Sequence, residues 1–346
     1  MAAIVATPVP LEQIGKLKGP QFGSKGVACL ATDGAHVYAG CRDHAIRVYD
    51  ARTHKLLYAL GAPAGPLDVA REGHVGCVTC LKLCGRRLFS GGGDRTLRAW
   101  DVKDRGPLRK VGEHGAIVTA LAVAGATLCS ADADGFVGLW DLETLAAVGE
   151  LEAKPSIYAL AVVGPVLFAA RGDGETVVAW DVSTKARADA PPYAAESLLA
   201  VGKKLYLGRD DGSISVWDAA RATPLPAAAL EHGHDGCVTA LASMAGAVVV
   251  SGGEDGAVVC WDAAARTRRW ATRPREGAVN GADAIVADDS GCLFSASPMA
   301  PHVQVWSGRN RPDPEPEEPE PEDSLFAELE VNRRKEHLSR NRRGVR

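Results

Sequence analysis

Nowhere does this chain offer a run of about eighteen apolar residues, so no segment reads as a membrane-spanning helix. Its opening, MAAIVATPVPLEQIGKLKG, lacks both a basic start and a long apolar stretch, and does not read as a secretory leader. An excess of either charge is missing too. With 39 Lys and Arg against 43 Asp and Glu, the net charge is −4 and the pI near 6.2, so the body has no basic footprint for phosphate backbones. Nine cysteines, an odd number scattered through candidate strands, make a poor disulfide framework and suit reduced thiols in the cytosol or nucleus. Also absent are a glycine-rich phosphate loop, an HExxH pair and a Gly-x-Ser-x-Gly elbow. The expectation is a soluble, unsecreted, non-enzymatic protein with no catalytic residue, metal ligand or cofactor to assign.

What the chain does have is a repeat. Aromatics are only 5% of the residues, yet seven of them end short β-branched stretches, and six are followed at once by Asp. The pairs are Tyr49-Asp50, Trp100-Asp101, Trp140-Asp141, Trp180-Asp181, Trp217-Asp218 and Trp261-Asp262, with Trp306-Ser307 as a degenerate seventh. They lie 51, 40, 40, 37, 44 and 45 residues apart, close to the period of about 40 to 45 of a four-stranded propeller blade. Within repeat two, Gly73-His74 precedes VGCVTCLKL, a CGRR turn, LFSGGGD and RTLRAWD: two alternating runs joined by a tight turn, then a third strand. An Asp six residues before the aromatic recurs as Asp43, Asp94, Asp134, Asp211 and Asp255.

These features resemble the WD-repeat family from about residue 20 to Ser307. The resemblance implies an all-β fold, a seven-bladed propeller. It also implies a buried network in which the loop Asp accepts from His, His contacts Ser or Thr, and that hydroxyl meets the Trp indole. Carried onto this chain, the networks are His74, Ser90, Asp94 and Trp100; His114, Ser130, Asp134 and Trp140; and His234, Ser251, Asp255 and Trp261. Repeats one, four, five and seven depart from it: Tyr49 replaces Trp, Asp173 lies one residue early, repeat five lacks the His, and Ala300 stands where repeat seven needs its Asp. Those blades are expected to rest more on packing.

A ring of sheets must close, and nothing strand-like follows Trp306. The segment Leu11 to Leu17 is the available outer strand for the last blade. The expected organisation is therefore residues 1–20 as the closing segment, 21–307 as the propeller, and 308–346 as a tail. That tail opens with alternating proline and acid, an extended spacer. It continues with Leu325, Phe326 and Leu329, whose spacing would put them on one apolar face if a short helix formed, and then Arg333, Arg334, Lys335, Arg340, Arg342, Arg343 and Arg346. A solvated tail, a partner-binding linear motif, and a nuclear-import or RNA-touching segment remain open for it.

Cys77-Val-Thr-Cys80, with Cys84 nearby, invites a metal reading, but positions three apart on a strand face opposite ways. The same slots hold Ile117, Cys237, Ala120, Ala240 and Cys29 in other repeats, so buried structural thiols are expected.

Two repeats also resemble the box by which some WD-repeat proteins dock on the adaptor of cullin-RING ubiquitin ligases: Asp43, Asp50 and Arg52, and Asp94, Asp101 and Lys103. The residues beside the loop Asp, Arg42, Asp210, Glu254 and Arg95, are the candidate partner-binding set by the same resemblance. A protein-interaction scaffold binding other proteins or peptides is the leading reading. A ubiquitin-ligase substrate receptor and a nuclear or RNA-associated subunit using the basic tail are the alternatives. No membrane partner is expected.

Overall fold

The computed structural model describes residues 12–17, 26–61, 73–172, 174, 176–224, 230, 233–244, 248–272, 284–287, 292–297 and 303–307. Asp173, Ala300 and the tail from 308 onward therefore lie outside the described residues. The chain divides into two units, Met1–Arg309 and Asn310–Arg346.

Blade two shows how the repeat becomes a sheet. Val78–Cys84, Arg87–Gly92, Thr96–Asp101 and Gly106–Glu113 pair in order as an antiparallel meander. Only the two residues Gly85 and Arg86 join the first pair of strands, and Gly85 adopts φ 56°. A Cβ there would meet nothing, so the backbone angle of the tight turn, rather than crowding, calls for glycine. Gly125, Gly164 and Gly202 repeat the device in blades three to five.

Seven such four-stranded sheets form, six of them from consecutive strands. Both faces of each sheet are covered, which explains why second and third strands such as Leu128–Ala131 and Val137–Leu139 are buried without interruption. The described core falls into seven clusters, each shared by two successive blades. Tyr38 and Ile46 of blade one, for instance, pack with Leu88 and Trp100 of blade two.

The last sheet is composite. Glu12–Leu17 lies antiparallel to Val303–Ser307, followed by Cys292–Ala296 and Ala284–Ala287. Leu17 is fully buried with Phe294, Val303 and Val305 of that blade and Val27, Val37 and Tyr49 of blade one. The start of the chain thus enters the core that joins the last blade to the first.

Innermost strands carry a repeated irregularity. The register slips between Val27 and Cys29, Val78 and Cys80, Val118 and Ala120, Ile157 and Ala159, and Val238 and Ala240. Such a bulge turns one side chain per blade out of the alternation: Ala28, Thr79, Thr119, Tyr158 and Thr239.

Candidate protein-interaction face

Loops between second and third strands gather on one face, and the buried networks sit just beneath them. In blade two, His74 Nδ1 lies 3.0 Å from Asp94 Oδ1 and Nε2 lies 2.7 Å from Ser90 Oγ. Trp100 Nε1 donates to that same Oγ at 2.7 Å. With the proton on Nδ1, Trp donates to Ser, Ser to His and His to Asp, so every buried donor finds an acceptor. Blade six repeats this with His234–Asp255 at 3.0 Å, His234–Ser251 at 2.8 Å and Trp261–Ser251 at 2.9 Å.

Blade three corrects the expectation drawn from spacing. His114 and Trp140 meet Ser130 at 2.7 and 2.8 Å, but His114 Nδ1 faces Asp132 Oδ2 at 3.2 Å, and Asp134 is exposed. The reason lies at the end of the second strand. Blades two and six have glycine there, and a Cβ on Gly92 would come 2.5 Å from His74 Nδ1 and 2.6 Å from Asp94 Oδ1. In blade three the same position is Asp132, whose own carboxylate fills the slot and accepts from the backbone N–H groups of Asp134 (3.0 Å) and Phe136 (2.9 Å).

Other blades keep fragments. Trp306 Nε1 donates to Ser295 Oγ at 2.9 Å, a pair hidden from sequence reading because it is eleven residues apart rather than ten. In blade one Asp43 pairs with Arg47 through both oxygens, at 2.9 and 2.6 Å. In blade five Leu207 stands where serine would, and Trp217 Nε1 is buried without a hydrogen-bond partner among the described residues.

Between blades run further bonds that had no sequence signal. Thr79 Oγ1 donates to Val118 O, Thr119 Oγ1 to Ile157 O (2.6 Å) and Ser197 Oγ to Val238 O (2.7 Å). Cys29 and Cys80 make longer versions to Val78 O (3.6 Å) and Val118 O (3.9 Å). All nine cysteines are free, and no group of metal-binding side chains occurs among the described residues. Burial pushes the Cys80 and Cys129 thiols up to about 12, which makes them poor nucleophiles.

On the opposite face, the Asp after each aromatic closes the turn to the outer strand. Asp50 Oδ1 accepts from the N–H of Arg52 and Thr53, and Asp101 Oδ1 from those of Lys103 and Asp104. Asp141, Asp181, Asp218 and Asp262 do the same in their blades. All four acids of the docking-box pattern (Asp43, Asp50, Asp94 and Asp101) are therefore engaged in blade structure, with Arg52 and Lys103 left exposed.

Charged side chains dress the loop face unevenly. Arg42 and Arg95 are exposed on blades one and two, and Asp210 and Glu254 on blades five and six. Arg95 takes φ 65°, in the turn position that blades three to six give to Gly135, Gly174, Gly212 and Gly256. Glu196, beside the buried Ser197 at the inner edge of blade five, titrates above the usual carboxylate range, first through burial and then through the charges of Asp210 and Glu254.

Acid should weaken the networks. Burial alone would raise Asp94, but hydrogen bonds from His74, Val75 N–H and Thr96 outweigh it and hold the carboxyl well below its ordinary range. Asp255 is likewise lowered against burial, by the Ala257 and Asp235 N–H groups and His234. A depressed folded-state pKa contributes stability that is complete above the unfolded value and lost as pH falls through the folded one. The unfolding midpoint should therefore drop below about pH 4. Asp94→Asn with Asp255→Asn should flatten that drop; an unchanged acid slope in the double variant would refute the assignment.

The geometry is that of a seven-bladed β-propeller stapled by His–Ser–Asp–Trp networks. Three stretches, 11–50, 67–101 and 228–262, match the family model described as WD domain, G-beta repeat. Those three stretches are WD repeats, and the fold is the β-propeller of WD-repeat proteins. It is 38% identical over 78 residues to Cell division control protein 4 of Saccharomyces cerevisiae, covering 22% of this chain and 9% of that protein. Over 99 residues it is 33% identical to the Ribosome biogenesis protein WDR12 homolog of Chlamydomonas reinhardtii, covering 27% and 21%. The matches thus span less than a quarter of either relative. Among solved structures, U3-55K and the RRP9 WD40 repeats each align with TM-score 0.69 and 17% identity over 86% of this chain, covering 98% and 97% of theirs. At that identity the likeness is one of fold.

Proposed function

We propose that this propeller is a non-catalytic protein-interaction scaffold whose partner surface is the face bearing Arg42, Arg95, Asp210 and Glu254. The observation that carries the reading is the division of labour among the polar residues. Histidines and aspartates that look chemically useful are tied into buried networks and turns, whereas these four charged side chains stand exposed around a rigid ring. Arg95 adds to it, because an L-residue in the left-handed region costs about 1–2 kcal/mol where glycine would not. Arg95→Gly is expected to raise stability while weakening partner binding. Charge reversal at Arg42 or Glu254 should slow association most at low salt. Copurification of every partner unchanged after reversal of all four residues would move the binding surface elsewhere.

A second reading, a subunit of a nuclear RNA-associated assembly, is favoured by the identity to a protein named for ribosome biogenesis. The basic residues from Arg333 to Arg346 supply the charge that the body lacks. Removing residues 333–346 from a fluorescent fusion should then reduce its nuclear accumulation; unaltered distribution would count against the tail's role.

A further inference from the structure

Large apolar side chains exposed on the described body are few. Two of them, Leu57 and Val148, sit on outer strands. The other three, Val75 (70% exposed), Ile117 (45%) and Tyr158 (48%), fall on the consecutive blades two, three and four. All three lie against loops of the face just described. Val75 N–H donates to Asp94, Ile117 O accepts from Ala133 N–H, and the Tyr158 ring lies so close over Gly172 that a Cβ there would sit 2.5 Å from it.

Blade four gives up a bond for this arrangement. In the same bulged register Thr79 and Thr119 tie their blades to the next one, whereas Tyr158 makes no such bond among the described residues. The loop residues beside the arc are also the uncharged Gly93, Ala133 and Gly172, where blades one and six carry Arg42 and Glu254. The arc ends toward Arg42 and Arg95 on one side. On the other, backbone bonds link the loops that carry three acids: Glu196 N–H to Gly208 O (2.8 Å), Val238 N–H to Arg209 O beside Asp210 (2.9 Å) and Glu254 N–H to Cys237 O (3.0 Å). Arg209, one of the cations on that side, is paired with Asp211 at 3.3 Å.

Resting on the reading of this face as the partner surface, we propose that it binds an extended peptide segment with an apolar or aromatic side chain on the Val75–Ile117–Tyr158 arc and an adjacent lysine or arginine meeting Glu196, Asp210 and Glu254. The stem of such a basic side chain lies along the tyrosine while its charge reaches the carboxylates. Arg42 and Arg95 at the far end disfavour a second basic stretch there, so the basic residue of the segment belongs at the acidic end.

Short random peptides displayed on phage and selected on the full-length chain test this. The enriched sequences should place an aromatic or aliphatic residue beside Lys or Arg. Binding of the synthetic winner should weaken about tenfold or more with Tyr158→Thr and with Glu254→Lys, and weaken with salt. Tyr158→Thr installs the residue found in blades two, three and six, so its unfolding midpoint should hold and separate lost binding from lost folding. Peptides weakened by Arg42→Glu or Arg95→Glu but indifferent to Tyr158→Thr and Glu254→Lys overturn the proposed partner chemistry and leave the face standing. Peptides indifferent to all four changes, or no enrichment at all, overturn both.

Discussion

Asp132→Ala is expected to destabilise the propeller by about 1–3 kcal/mol or more, and Asp134→Ala by less than about 0.5 kcal/mol, in paired denaturant titrations. Asp132 is 1% exposed and accepts from His114 and from the N–H groups of Asp134 and Phe136. Alanine leaves those donors without their acceptor. Its Cβ also occupies the space through which a carboxylate two residues later would have to reach, as the geometry around Gly92 shows. Asp132→Gly should therefore be milder than Asp132→Ala, because it recreates the Gly-x-Asp arrangement of Gly92 to Asp94 and Gly253 to Asp255 and lets Asp134 swing in. Adding Asp134→Ala to the glycine variant should restore the full loss, a coupling that the double-mutant cycle reads directly. Equal losses from the two single alanine changes would overturn this account of blade three.

That case marks where sequence spacing stops being informative. An interval of six residues from Asp to Trp points to Asp134, and it fails because two acids two positions apart compete for one slot. Backbone crowding beside His114 decides between them. The number of blades was legible because each third strand ends in a large aromatic that the inter-blade cores must bury. Networks in blades two and six were legible because all their members belong to one repeat. The bonds from Thr79, Thr119 and Ser197 were not, since each acceptor is a backbone carbonyl of the following blade and leaves no residue pattern to find. Tyr158 was hidden for a similar reason. In sequence it is one more aromatic in an apolar strand, and only the bulge between Ile157 and Ala159 turns it outward.

The largest effect is expected at the seam. Removing residues 1–17 should convert a soluble, cooperatively unfolding chain into aggregating material, because it takes away the strand Glu12–Leu17 and bares Val303–Ser307 as a sheet edge. The bared strand, VQVWS, is uncharged and rich in residues that favour pairing, so it lacks the features that protect natural edges. The loss also reaches the core, since Leu17 is fully buried where the last blade meets the first. Leu17→Ala isolates that second part: the strand remains, and a cost of about 2–5 kcal/mol is expected from the cavity. A synthetic peptide spanning residues 8–20, added during refolding of the truncated chain, should restore solubility by pairing with the bared edge. Removal of residues 310–346, which form a separate unit, should leave the unfolding midpoint where it was. A truncated chain that stays monodisperse by light scattering and unfolds in one transition at the original midpoint would show that the ring does not depend on its first strand.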